Sequence, residues 1–174
     1  PHIAGSVDVP GWSTFIQPLG NRLVSIGVET NRVAVSLFDV GDPTSPALLS
    51  RVRLGQNYSY SEANWDEKAF SVLPDAGLIL VPFSGDTTNG YASSVQLVDL
   101  NANSLTARGV IEHQFQPRRA TVYTNRILSI SNWELLSVDA SDRDHPLLRN
   151  STTLAWPVDR VFLHRNYLLE LGSA

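Results

Sequence analysis

The chain has 174 residues, 43% hydrophobic and 17% charged, with 11 Gly, 10 Pro and neither Cys nor Met. This composition excludes a disordered, collagenous or disulfide-stapled chain and fits one ordinary globular domain, long enough to bury about two thirds of its unfolded surface. Acids exceed bases by 17 to 13, the wrong sign for a nucleic-acid binder, and no segment approaches the roughly 20 consecutive apolar residues of a membrane span.

Taken in chain order, residues 2–9 read as the last strand of a unit that precedes Trp12. Four strands follow at 13–19, 21–28, 33–40 and 47–54, then four more at 67–73, 77–83, 92–100 and 104–112. A third set runs through 119–123, 126–131, 134–140 and 147–154, and a partial fourth through 159–163 and 166–171. The segment Asn21-Arg22-Leu23-Val24-Ser25-Ile26 returns as Asn125-Arg126-Ile127-Leu128-Ser129-Ile130, with a weaker echo at Gly77-Leu78-Ile79-Leu80-Val81. A second marker keeps step with the first: an apolar run ends in Asp39, Asp99 or Asp139, and a turn rich in Gly, Asn, Asp or Pro follows it.

Strands such as Val33-Ala34-Val35-Ser36-Leu37-Phe38 are nearly continuous apolar runs, so both faces are covered. A helix-flanked parallel sheet would need amphipathic crossovers that these short, turn-rich connections do not supply. Antiparallel units of four strands, recurring about every 40 to 60 residues, predict an all-β chain of β-propeller blades. The blades are approximately 13–54, 67–112 and 119–154, with a partial one at 159–171, a fragment of about three and a half to four blades. A β-sandwich is the runner-up, but it leaves the recurrence unexplained. Starting at Pro1 and stopping just past an apolar run, the sequence is expected to be part of a longer polypeptide.

Ser61-Glu62-Ala63-Asn64-Trp65-Asp66-Glu67-Lys68-Ala69-Phe70 and the following Pro74-Asp75-Ala76-Gly77-Leu78-Ile79-Leu80-Val81-Pro82 resemble the signature of a secreted bacterial and archaeal β-propeller domain family distantly related to WD repeats. The turn Asp39-Val40-Gly41-Asp42-Pro43-Thr44-Ser45-Pro46 is similar to that family's hairpins. The resemblance implies the propeller fold and an extracellular or periplasmic location. No Gly-His pair or Trp-Asp dipeptide closes a blade, so the His, Ser, Asp and Trp network of true WD repeats is not carried over.

Chemistry concentrates at 61–70. On a strand, Glu62, Asn64, Asp66 and Lys68 share one face, and the first strand of a blade lines the central channel, so they form a candidate polar channel cluster. Glu62 and Asp66 are weak candidates for a metal such as Ca²⁺, which wants more oxygens than this segment offers; no other cofactor is indicated. The plainer readings are an Asp66–Lys68 pair with Glu62 fixing a loop, or a helical turn, since Ser59-x-x-Glu62 fits a capping box. Arg118, Arg119, Asp159 and Arg160 occupy comparable places in other blades and suggest a channel wall of mixed charge. His2, His113, His145 and His164 lack metal spacing and read as surface or turn residues. Trp12, Trp65, Trp133 and Trp156 stand near strand starts; exposed on a propeller face they would suit peptide or sugar recognition, but they are expected to fill space between blades.

The functional expectation is an extracellular binding or scaffolding propeller without catalysis, whose ligand the sequence does not name. The alternative is a hydrolase or lyase with a polar site at the channel mouth. The partner is expected to be a protein, peptide or glycan at the loop face, not nucleic acid, with further blades or another chain completing the ring. Contact falls on the longest loops, through Tyr58, Tyr60, Tyr91 and Phe115, with Gln56, Asn89 and Gln114 as polar neighbours.

Overall fold

The computed structural model describes residues 2–155 and 158–172. Its first sheet is β1 (Trp12–Leu19), β2 (Arg22–Glu29), β3 (Arg32–Asp39) and β4 (Ala47–Arg53), antiparallel neighbours in chain order. The second contains β5 (Ser59–Tyr60), β6 (Ser71–Leu73), β7 (Leu78–Thr87), β8 (Gly90–Leu100) and β9 (Leu105–His113). Here β5 and β6 both pair with β7, so they are two pieces of one inner strand. The third sheet is β10 (Pro117–Tyr123), β11 (Arg126–Ser131), β12 (Glu134–Asp139) and β13 (Leu147–Thr153). A hairpin of β14 (Arg160–His164) and β15 (Tyr167–Leu171) follows and pairs with no other strand. No helix of the described residues is long and apolar enough to cross a membrane.

These are the expected propeller blades, three whole ones and half of another, and the period-2 side-chain pattern explains how they stack. Val24, Ile26, Val33, Val35 and Leu37 share one face of the first sheet and meet Ala69, Phe70, Ile79, Val81 and Phe83 of the second. Leu80, Val95, Leu97 and Ile111 point the other way, onto Ala120, Ile127, Leu136 and Val138 of the third. The middle blade is therefore apolar on both faces, which is why its strands read as unbroken hydrophobic runs.

The recurring sequence has a mechanical meaning. Arg22 and Asp39 are cross-strand partners on β2 and β3 and form an ion pair at 2.7 Å. Arg126 and Asp139 repeat it at 2.8 Å in the third blade. Each Asp also accepts a backbone N–H two residues on, Gly41 at 2.8 Å and Ser141 at 3.1 Å, and so shapes the turn to the outer strand. The second blade has Gly77-Leu78 where the others have Asn-Arg, and its Asp99 takes Arg143 from the neighbouring blade instead. That guanidinium also donates to the carbonyls of Gly77 and Ala76 at 2.9 and 2.7 Å, clasping the two blades together.

Two expectations need correction. Residues 2–9 form no strand; they run across the first blade, where Val7 and Val9 lie over Ile16, Leu23 and Phe38 and where Arg51 donates to Pro10 O at 2.9 Å. A ladder needs a neighbouring strand, and none adjoins them in the described structure. The strand expected at 67–73 is formed only at 71–73, because 61–70 leaves the sheet as two short 3₁₀ turns, Glu62–Asn64 and Glu67–Ala69.

Candidate functional site

The local cause of that excursion is side-chain capping. Ser61 Oγ accepts Ala63 N–H at 3.1 Å, and Asp66 Oδ1 accepts Lys68 N–H at 3.0 Å, each offering the backbone a turn in place of the ladder. Ser61, not Ser59, is the first cap. The apolar residues between the caps point inward: Ala63, Ala69 and Phe70 are buried, and Phe70 meets Phe15 of the first blade edge to face at 6.3 Å.

The polar residues reach both neighbouring blades. Thr14 Oγ1 on β1 donates to Asn64 Oδ1 at 3.2 Å. Arg118 on β10 pairs with Glu62 at 2.9 Å, Arg119 pairs with Asp66 at 2.9 Å, and Gln116 donates to Glu62 Oε2 at 3.3 Å. The cluster expected from the two-residue period thus lies on turns, not on one strand face. The Asp66 salt bridge goes to Arg119, while Lys68 supplies its backbone N–H and a minor share of charge. The Arg119 guanidinium, followed by the Lys68 N–H, holds the Asp66 carboxyl below the usual carboxylate range. Burial, followed by the charge of Glu62, pushes the Tyr60 phenol up. Asp159 and Arg160 open the last hairpin, where Asp159 N–H donates to Leu171 O at 2.8 Å. Among the described residues no three His, Asp or Glu side chains converge as metal ligands.

A second polar constellation, which sequence reasoning missed, joins the second blade to the third. His113 at the end of β9 lies 2.9 Å from Glu134 Oε1 through Nδ1 and 2.7 Å from Ser129 Oγ through Nε2. Burial holds this imidazole below its ordinary titration range, so the ring is neutral: Nδ1–H donates to the carboxylate and Nε2 accepts the Ser129 hydroxyl. The order of groups is that of a nucleophilic triad, but Ser129 is 0% exposed and no substrate carbonyl reaches its oxygen. It is a buried interblade tie, and His113 is neither the surface nor the turn residue expected. The only sequence signal was a histidine closing an apolar strand, which does not reveal a partner more than a dozen residues away.

Strand alternation sets the faces. The β1–β2 and β3–β4 turns lie at one end of their sheet, and the β2–β3 turn and the exit toward β5 lie at the other. Loops 54–59 and 113–117 therefore share a face with the tips of the second strands of each blade. Ser59 N–H donating to Asn31 O at 3.0 Å and Asp86 N–H to Tyr58 O at 2.9 Å place them together. On this face stand Tyr58, Tyr91 and Phe115, all exposed, with Phe115 stacked on Trp133 at 4.7 Å. Tyr60 is half-buried beside Glu62 and is not a free contact. Trp12 and Trp65, expected between blades, are 63% and 79% exposed, Trp12 at the start of β1 at this same end and Trp65 on the 61–70 turns. Trp133 is half-buried, and Trp156 lies outside the described residues.

Two relatives are curated as uncharacterized archaeal proteins. One, from Archaeoglobus fulgidus, is 34% identical over 95 residues, 54% of this chain and 14% of its own length. The other, MJ1554 from Methanocaldococcus jannaschii, is 32% identical over 75 residues, 39% of this chain and 12% of its own length. The matched stretches thus span about an eighth of these relatives. Stacked four-stranded sheets, the repeated Arg–Asp turn and a family model matching residues 1–143 agree: the chain belongs to the beta propeller domain family.

Proposed function

We propose that this segment is part of a binding scaffold that presents its aromatic face to a protein, peptide or glycan, and that it carries out no chemistry there. The observation that carries the reading is the exposure of Trp12, Tyr58, Tyr91 and Phe115 at the same end of the blades, with Trp65 exposed on the 61–70 turns and both tryptophans mostly outside the core. Trp and Tyr offer large contact area at small entropic cost, and single exposed apolar residues are ordinary while such a gathering is not. Glu62 and Asp66 are each held by an arginine, which favours a structural use over acid–base work. Ca²⁺ at Glu62 and Asp66 has no further support. An extracellular or periplasmic location accords with this role and belongs to the same proposal.

The ring is completed by further blades or by another chain. The β14–β15 hairpin has two strands where a blade has four, and every residue of β13, β14 and β15 is exposed. Unpaired edges of that kind invite another strand.

Peptide and glycan arrays, probed with the protein and with a Trp12→Ala/Trp65→Ala variant of unchanged melting temperature, test the reading. Selective binding by the parent that the variant loses supports it. Equal binding by both overturns it, as does hydrolysis of a peptide, ester or glycan that Asp66→Asn or Glu62→Gln abolishes.

A further inference from the structure

The outer strands of the blades do not meet alike. Between the first and second blades, Leu105 N–H donates to Ser50 Oγ at 3.0 Å and ties β9 to β4. Between the second and third, the tie sits at the turn end: Gly109 N–H reaches Arg143 O at 2.9 Å and Arg108 meets Asp144 at 2.8 Å. Beyond it β9 parts from β12 and β13, leaving a cleft of about 610 Å³ with Ile111, Leu136, Val138 and Leu148 in its apolar wall. Toward the aromatic face this continues into a pocket of about 280 Å³ bounded by Phe115, Trp133 and Thr153; Gln114, Glu134 and Ser151 line both spaces.

The charge of this cleft is of one sign. Glu134 directs its carboxylate into it, Glu112 borders it from β9, and no Lys or Arg lines it among the described residues. Glu134 is nearly buried, its side chain 12% exposed. Its Oε1 is saturated by His113 Nδ1 at 2.9 Å and Gln114 N–H at 3.0 Å, while no donor among the described residues reaches Oε2. Because His113 is neutral, no imidazolium cancels the carboxylate. A half-satisfied anion in a half-buried apolar groove attracts a cation strongly, and stacked aromatic rings at its mouth add to the attraction.

We propose that this cleft takes an arginine side chain of a bound peptide, with the aliphatic stem along the wall of Ile111, Leu136 and Leu148 and the guanidinium at Glu134 Oε2 beside the Phe115–Trp133 stack. The planar fork suits a carboxylate edge, and the stem suits the apolar wall. The site lies on the outer rim between two blades, so it stands whether or not Trp12 and Trp65 capture a partner.

The test uses the tripeptide Ac-Ala-Arg-Ala-NH₂ and its citrulline counterpart, which keeps the shape and loses the charge. Binding is followed by chemical shifts of the Gln114 and Ser151 amides and the Trp133 indole N–H. The arginine peptide is expected to produce saturable shifts at all three, and the citrulline peptide to bind at least about tenfold more weakly. Glu134→Gln should abolish the preference. Should that variant not fold, Ser151→Lys decides, since a tethered ammonium on the exposed wall competes for Oε2 and should reduce binding by the same factor. Absence of saturable shifts, equal affinity for citrulline, or undiminished binding by Ser151→Lys overturns the proposal.

Discussion

Replacing His113 by alanine tests the interblade tie most directly. The substitution strands Ser129 Oγ, which is fully buried, and leaves Glu134 Oε1 with only the Gln114 N–H. Losing a hydrogen bond to a carboxylate and stranding a buried hydroxyl should together cost about 3 kcal/mol. For a chain of this size that lowers Tm by about 6–12 °C, measurable by calorimetry or by urea unfolding. The pH dependence sharpens the test. Burial keeps folded His113 below its ordinary value of 6.5, so on acidification the unfolded chain takes up the proton first. Its share of stability is complete above about pH 6.5 and falls as the pH drops from there, by at most about 1.4 kcal/mol per pH unit. His145 acts oppositely: Asp142 raises its titration range, so its contribution is lost as pH rises. Subtracting the His113→Ala curve from the parent curve cancels that term. A loss below about 1 kcal/mol, or identical slopes between pH 6.5 and 5, would refute the argument.

Phe70→Ala empties the contact with Phe15 in the core between the first two blades and should cost about 3–5 kcal/mol by urea unfolding; less than half of that would mean the excursion is not packed as described. Arg143→Lys keeps the charge but cannot reach Asp99, Gly77 O and Ala76 O together, so about 2 kcal/mol should be lost, and an unchanged Tm would remove the clasp from the account. Asp139 is held well below the usual carboxylate range, first by Ser141 and then by Arg149 and Arg126, so its contribution is present above about pH 4 and is lost as pH falls further. Asp139→Asn should therefore flatten acid unfolding below pH 4, and a curve parallel to the parent would count against that pairing.

What the sequence revealed was whatever repeats or alternates. Arg22 with Asp39 and Arg126 with Asp139 sit at fixed places on adjacent strands, so the ion pair left its imprint as a recurring word. Apolar runs on β2, β3, β7 and β8 showed that both faces are covered: the middle blade lies between two others, and the first between it and the segment that carries Val7 and Val9. The site was less legible, since its parts depend on partners far along the chain. Glu62 and Asp66 were recognisable as polar residues near the inner edge, but that Arg118 and Arg119 hold them follows only from the stacking of the blades. Ser61 and Asp66 are also common strand-edge residues, and only their contacts with Ala63 N–H and Lys68 N–H distinguish caps from edge positions. The outward tryptophans escaped for a related reason: a bulky apolar side chain is ordinarily buried, and Trp65 is carried out by a turn that the sequence offered only as an alternative to a strand.

Breaking the inner strand of the middle blade would ordinarily leave the adjacent strand with unpaired backbone groups. Between β5 and β6, residues Val81, Pro82 and Phe83 of β7 lose their partner on the inner side and are all buried. In an antiparallel ladder a residue's N–H and C=O point to the same side. At the centre of the gap stands Pro82, which has no N–H to strand, and its carbonyl receives the Ser61 hydroxyl at 2.5 Å. The residue that opens the excursion thus satisfies the acceptor exposed by it, and proline removes the donor that would have gone unanswered. This local solution releases 61–70 from the two-residue alternation of a strand. A regular inner strand would have sent alternate side chains to alternate faces; the turns instead let Asn64 reach the first blade while Glu62 and Asp66 reach the third, with Phe70 still in the core. The same departure leaves Trp65 79% exposed on a turn outside the sheet, where a binding residue can change without disturbing the stack.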